Sequence, residues 1–239
     1  MKHFKKLSLL LFGLLFVSGC SNAQPSVSPT TDKNESSFLN VSAEGYTTVN
    51  LDSLNSSLTS SQNSELSQAE IESLKYMREE EKLAHDLYLT FYDLWEKQSF
   101  ANISQSESSH TAAVKALLDH YHLPDPTEGK DVGEFSNATL QNLYDQLKSQ
   151  GESSLVEALK AGAAVEEIDI LDLQKAMDEI DNNLIDQVYA NLMQGSRNHL
   201  RAYVRSLKDY QPVYLDEASY QAIVGSDMER GGPGAGRGR

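Results

Sequence analysis

Residues 67–95 read SQAEIESLKYMREEEKLAHDLYLTFYDLW and decide the fold. Ser67-Gln-Ala-Glu70 has the form of a capping box, which marks the start of a helix. Apolar residues then recur at helical spacing and predict one long helix to about Lys97 with a single buried face. That face comprises Leu74, Met77, Ala84, Tyr88, Phe91 and Trp95. Glu81 lies among them, although burying an unpaired carboxylate costs several kcal/mol.

Three further long helices repeat this pattern of a polar residue on an apolar face. Helix B runs from about Asn102 to Leu123-Pro124, helix C starts at a second capping box at Ser154, and helix D follows Asn182. A short amphipathic helix over about 137–149 occupies the longer connection between B and C. The sequence therefore predicts an all-α protein, a ferritin-like four-helix bundle with a short extra helix in the B–C crossover.

The polar residues on these faces have the spacing of a metal site. Dinuclear iron or manganese centres in such bundles take a Glu from each of two helices and a Glu-x-x-His pair from each of the other two. Here helix B has a complete pair, but helix D reads Ser196-Arg-Asn-His199 and lacks the carboxylate. The predicted ligands are Glu81, Glu107, His110, Glu166, its close rival Glu167, and His199. Asp169 or His85 is the candidate to replace the missing carboxylate.

A site that is one carboxylate short allows several outcomes. The predicted cofactor is iron or manganese, and the site could be dinuclear, mononuclear, asymmetric, or open for a substrate. Tyr88 lies seven residues after Glu81, and we assign it as the candidate catalytic residue that tunes a ligand through a hydrogen bond. Two alternatives remain: Tyr88 is an ordinary core aromatic, and the whole set of polar residues is a metal-free buried network in a non-catalytic binding or structural protein.

Four separated stretches carry a family resemblance. They are Tyr76-Met-Arg-Glu-Glu-Glu-Lys-Leu-Ala-His85, Asn102-Ile-Ser-Gln-Ser-Glu-Ser-Ser-His110, Glu166-Glu-Ile-Asp-Ile170 and Gly195-Ser-Arg-Asn-His-Leu-Arg201. In this order they resemble the DUF2202 family, a ferritin-like domain of bacteria and archaea, over roughly residues 70–207. The resemblance implies the fold and a metal site, and it implies no particular reaction.

The first twenty residues predict an export signal. Residues 1–6 are basic, Leu7 to Val17 are apolar but too few for a membrane span, and Val17-Ser18-Gly19-Cys20 resembles the lipobox of bacterial lipoproteins. We therefore predict a signal peptide over 1–19, lipidation at Cys20, and an exported protein anchored at the surface of the cell membrane or outer membrane. The alternative is an ordinary signal peptide followed by an incidental free thiol.

Composition sets the remaining limits. Residues 20–64 are predicted to be a flexible Ser/Thr/Asn-rich linker, 65–212 the folded domain, and 213–239 a disordered tail. The net charge of −15 becomes −18 once residues 1–19, with three lysines and no acids, are removed, so the sequence does not predict nucleic acid as a partner. No P-loop, dinucleotide-binding turn, serine-hydrolase elbow or Cys-x-x-Cys pair is present. The predicted partners are the membrane and a metal ion or small oxidant such as O2 or peroxide, and the predicted activity is that of a metal oxidase or of an oxidoreductase that reduces the oxidant.

Overall fold

The computed structural model describes residues 38–42, 46–61 and 65–230. Four long helices dominate these ranges: α2 (Gln68–Trp95), α3 (Gln98–His120), α5 (Leu155–Glu179) and α6 (Asn183–Ser206). Two short strands and three shorter helices complete them: β1 (Leu39–Val41), β2 (Thr47–Val49), α1 (Leu51–Ser60), α4 (Ala138–Gly151) and α7 (Glu217–Val224). The predicted all-α architecture is thus observed with the addition of one small sheet.

The four long helices pack around one interior. Helix α2 packs along α3 and α5 along α6, and the two pairs meet where α2 contacts α5 and α3 contacts α6. Only short turns separate α2 from α3 and α5 from α6. The connection from α3 to α5 is longer and contains α4, which packs against α2 and α5 as expected for the crossover. This arrangement directs one face of each long helix toward a common space.

Local sequence signals define the helix ends. The Ser67 hydroxyl accepts from the Glu70 backbone N–H while the Glu70 carboxylate accepts from the Ser67 N–H, which is the predicted capping box. At α5 the Ser154 hydroxyl accepts from the Glu157 N–H, and at α6 the Asn182 side chain accepts from two N–H groups. These bonds satisfy N–H groups that have no partner within their own helix.

The N-terminal boundary of the fold differs from the predicted linker over 20–64. Strands β1 and β2 pair antiparallel, with Leu39 opposite Val49, and β2 packs against α3 and α6. Helix α1 packs on α3 through Leu54 and Leu58. These few apolar side chains become buried by contact with the bundle. The hydrophobic periodicity of this Ser-rich segment does not reveal such contacts, because they involve helices that are distant in sequence.

The C-terminal boundary also differs, because residues 213–230 are not a disordered tail. Helix α7 buries Tyr220 and Ile223 and packs against α6. The Arg201 guanidinium donates to the Ile223 carbonyl oxygen at 2.8 Å, so a buried charge on α6 anchors the end of α7. The predicted signal peptide, Cys20 and residues 231–239 lie outside the described residues. Among the helices that the structure describes, none has the length and apolarity to cross a membrane.

Candidate metal centre

Five of the predicted ligands meet in the interior of the four long helices. Helix α2 contributes Glu81, α3 contributes Glu107 and His110, α5 contributes Glu166, and α6 contributes His199. Each of them is at most 2% exposed. Glu107 and His110 point into the same space because residues three apart lie on one face of a helix.

Glu107 occupies the middle of this cluster. One of its oxygens, Oε2, lies 2.8 Å from His110 Nδ1, and the other, Oε1, lies 2.7 Å from His199 Nδ1. Glu81 Oε2 is 3.3 Å from His110 Nδ1, and Glu166 Oε2 is 3.6 Å from His199 Nδ1. The five side chains therefore form two Glu–Glu–His trios that share Glu107, and within each trio one ligand atom per residue lies within 4.8 Å of the others.

Several atoms that face the centre make no hydrogen bond of good geometry. His110 Nδ1, His199 Nδ1 and Glu107 Oε1 are buried and meet only in ion pairs, and Glu81 Oε1 is buried without a partner. Buried polar atoms without hydrogen bonds are rare because each loses its hydration without full compensation. Oxygen and imidazole nitrogen donors suit iron and manganese, so the chemistry of these atoms and their lack of hydrogen bonds both fit a bound ion.

The electrostatics of the cluster depend on the two imidazoles. Burial lowers the pKa of His110 and His199, but Glu107 and the outer glutamates outweigh it, so the pKa of His110 rises well above its usual value and that of His199 rises to about 9. Burial raises the pKa of Glu81 to about 7, against the opposing effect of His110. Burial also raises the pKa of Glu107, but His199 and His110 overcome it and hold that pKa below its usual value. In the metal-free cluster the imidazoles therefore carry protons that a metal must displace.

Tyr88 of α2 contacts the centre through a hydrogen bond to Glu166. Its hydroxyl donates to Glu166 Oε1 at 2.6 Å and lies 3.2 Å from the Gly162 carbonyl oxygen. The ring is fully buried, with its centroid 5.4 Å from that of Tyr203. Burial and the Glu166 charge raise the pKa of the Tyr88 hydroxyl well above its usual value, so Tyr88 remains a neutral donor.

Asp169 of α5 contacts Ser196, the position on α6 at which the Glu-x-x-His pattern lacks its carboxylate. The Ser196 hydroxyl donates to Asp169 Oδ2, and Asp169 Oδ1 is buried without a partner. Burial and the neighbouring Glu81 raise the pKa of Asp169 well above its usual value. The other candidate, His85, is instead paired with Asp86 at 2.9 Å, and its side chain is 28% exposed. Of the two candidates, only Asp169 borders the centre.

Glu167 is not brought to the cluster, although it was among the predicted ligands. It lies about 100° around α5 from Glu166 and faces the chain that follows α6. Its Oε1 accepts from the Tyr210 hydroxyl at 2.6 Å. Its Oε2 accepts from the backbone N–H groups of Val213, Tyr214 and Leu215. Four donors satisfy Glu167, and none of them belongs to the metal cluster.

Sequence reasoning missed one residue at the centre, Thr47 of β2. Its Oγ1 lies 3.1 Å from His199 Nε2 and 3.4 Å from His110 Nε2. Residues 47–49, Thr-Thr-Val, are β-branched, which is a signal for a strand, but three residues are too few to distinguish a strand from a linker. No sequence signal indicated which helices this strand would contact.

Comparison with known proteins identifies the family. Residues 70–227 match the model of the family described as "Uncharacterized protein domain (DUF2202)". An uncharacterized protein of Methanocaldococcus jannaschii, MJ0754, is 48% identical over 170 residues, which is 70% of this chain and 92% of the relative. The crystal structure of that hypothetical protein matches with a TM-score of 0.69 at 46% identity, covering 71% of this chain and 99% of the other. On the match to the family model and on this identity, the chain belongs to the DUF2202 family.

Proposed function

We propose that this chain is a ferritin-like metalloprotein that holds two iron or manganese ions in the interior of its helical bundle. The observation that carries the proposal is that Glu107 belongs to two buried Glu–Glu–His trios, in which ligand atoms from four helices meet. Because its Oε2 lies beside His110 and its Oε1 beside His199, Glu107 could contribute one oxygen to each of two ions. Glu81 and His110 would complete one ion's ligand set, and Glu166 and His199 the other's.

The proposed activity is oxidation of the metal or reduction of a small oxidant such as O2 or peroxide. Iron and manganese supply the required one-electron chemistry when they are bound. The chain's residues provide the setting: the four helices bury the ligand side chains away from bulk water, and the Tyr88 hydroxyl donates its proton to Glu166 Oε1 at an oxygen–oxygen distance of 2.6 Å. Asp169 supplies an additional carboxylate beside Glu81, and it is hydrogen-bonded to Ser196 of α6.

The proposed location is the outer face of the cell membrane or the outer membrane, with attachment through lipid at Cys20. The support is the sequence of residues 1–20. We expect Cys20→Ser to move the protein into the soluble exported fraction, since a diacyl or triacyl anchor would be lost. Fractionation combined with mass spectrometry of the wild type measures both consequences. A variant that stays on the membrane, with no acyl groups on the wild type, contradicts the anchor.

The proposed metal centre is tested by elemental analysis of the full chain purified without chelator. The full chain is required because residues 38–61 and 213–230 pack on the bundle. We expect iron or manganese near two ions per chain, and a melting temperature that rises with added metal because the ions bind only the folded state. A protein that retains no metal, and whose melting does not respond to iron, manganese or zinc, would favour the metal-free network. The His110–Glu107 and His199–Glu107 ion pairs are the observation that favours that second candidate.

A further inference from the structure

Strand β2 places one hydroxyl between the two imidazoles of the centre. Thr47 is fully buried, and its Oγ1 lies 3.1 Å from His199 Nε2 and 3.4 Å from His110 Nε2. These Nε2 atoms are on the opposite edges of the rings from the Nδ1 atoms that face the carboxylates. A single side chain therefore contacts both histidines on the side away from the proposed metal ions.

The position of Thr47 is fixed by hydrogen bonds to the helix that carries Glu107 and His110. The Thr47 backbone N–H donates to Ser106 Oγ at 3.2 Å, and the Val49 N–H donates to Ser109 Oγ at 3.1 Å. The pairing of β2 with β1 and the burial of Phe38 and Leu39 hold the strand from its other side. The contact with the imidazoles is thus part of a packed structure.

Gly195 of α6 makes this close packing possible. A Cβ at that position would lie 2.6 Å from His110 Cε1 and 2.9 Å from Thr47 Oγ1, which is closer than non-bonded atoms approach. The backbone of α6, the His110 ring and the Thr47 hydroxyl therefore meet without room for a methyl group. Thr47, His110 and His199 are all fully buried at this contact.

The chemistry of an imidazole ligand gives this contact a purpose. A histidine that binds metal through Nδ1 must keep its proton on Nε2, and a hydrogen-bond acceptor beside Nε2 holds the ring in that tautomer. A hydroxyl oxygen has two lone pairs and can accept from two N–H groups. We propose that Thr47 is a positioning residue whose Oγ1 accepts the Nε2–H of both His110 and His199 and keeps both Nδ1 atoms free for metal.

This inference rests on the proposed metal centre and extends it to a part of the chain outside the family region. The match to the family model begins at residue 70, whereas Thr47 precedes it by more than twenty residues. Thr47 therefore lies outside the residues that match the family model, on a segment that packs against the centre.

The test compares Thr47→Val with Thr47→Ser and with Thr48→Val in the full chain. Valine keeps the shape of threonine and removes the hydroxyl, serine keeps the hydroxyl, and Thr48 is the exposed neighbour on the same strand. We expect Thr47→Val to weaken Co²⁺ affinity by about 10- to 100-fold and to change the visible absorption of the bound Co²⁺. Thr47→Ser should restore affinity and spectrum to near wild type, and Thr48→Val should change neither.

A second measurement does not depend on a variant's folding. Nitrogen NMR of the Zn²⁺-loaded wild type should show both imidazoles protonated at Nε2. A proton on Nδ1, or wild-type Co²⁺ affinity and spectrum in a folded Thr47→Val protein, overturns the role of Thr47 while the metal centre stands. A wild type that takes up neither Co²⁺ nor Zn²⁺ overturns the metal centre and the role of Thr47 with it.

Discussion

Glu166 and Glu167 are adjacent on α5 and both are almost fully buried, yet their surroundings are opposite. Glu167 accepts four hydrogen bonds from the chain after α6, which offset part of the burial that raises its pKa. Glu166 accepts one hydrogen bond, from Tyr88, and otherwise faces a cluster whose imidazole nitrogens meet only carboxylates. Burial alone therefore does not mark a ligand; what distinguishes Glu166 is burial among ligand atoms that lack hydrogen bonds.

The largest expected effect is on metal content, which should fall when the cluster around Glu166 is changed and not when Glu167 is changed. Glu107→Gln should abolish binding of both ions, since Glu107 belongs to both trios and glutamine is a weak neutral ligand. Glu81→Ala and Glu166→Ala should each lose mainly one ion. Elemental analysis of variants purified without chelator gives the counts.

The matched control for this prediction is Glu167→Gln, an equal change at the neighbouring buried glutamate. We expect it to retain the wild-type metal content, and Glu166→Ala to lose more metal than Glu167→Ala. Full metal retention in the Glu107 and Glu166 variants would remove the proposed centre, whereas a greater loss at Glu167 would contradict the assignment of the two faces of α5.

The second effect is on the stability of the metal-free protein. Here we expect the substitution of Glu167 to cost more than that of Glu166, the reverse of their order for metal content. Glu167→Ala should lower the free energy of unfolding by about 3 kcal/mol, because the Tyr210 hydroxyl and three backbone N–H groups lose their acceptor. Glu166→Ala should lower it less, since it removes a buried charge that is incompletely compensated. Urea unfolding in the presence of a chelator compares the variants. A larger loss of stability for Glu166→Ala would show that the cluster stabilises Glu166 better than the four hydrogen bonds stabilise Glu167.

The third effect is the pH dependence of metal affinity. The raised pKa values of Glu81, about 7, and His199, about 9, mean that both groups hold protons at lower pH and must release them to bind metal. Affinity should therefore rise with pH between about 6 and 9, by about tenfold per pH unit for each proton released. Competition with a chelator of known proton affinity measures this slope. An affinity that does not change with pH would mean that the metal binds elsewhere.

The smallest effect concerns Glu229, a second carboxylate whose charge is compensated within the chain, by Arg197 and Arg201. Burial raises its pKa, but Arg197 and Arg201 outweigh burial and hold the pKa below its usual value. The carboxylate therefore stabilises the fold above its unfolded pKa, and this contribution is lost as pH falls through the folded pKa. Glu229→Gln should cost about 1 kcal/mol at pH 7, because the side chain is partly exposed. The difference from wild type, measured by urea unfolding, should shrink below about pH 4; a constant difference would contradict the ion pairs.

The long helices were predictable because their signals are local. Capping residues and the 3.6-residue period of apolar side chains placed the four helices and the crossover helix within a few residues of their observed bounds. The same periodicity put Glu81, Glu107, His110, Glu166 and His199 on inward faces, since a helix's rotation is set by its own sequence. Glu167, one position along, shows the limit of this reasoning, because both neighbours are buried and only the packing of residues 210–215 distinguishes them.

From its sequence alone the chain is expected to form a helical bundle with Glu81, Glu107, His110, Glu166 and His199 on inward faces, because helix formation and amphipathicity act between residues three and four apart. Only the tertiary structure decided that β1, β2 and α1 belong to the fold and that Thr47 contacts both imidazoles, since these contacts join residues 63 and 152 positions apart. It also decided that Glu107, rather than another carboxylate, lies between the two histidines. Such contacts depend on how four separate helices approach one another in space, and the order of residues along any one helix does not contain that information.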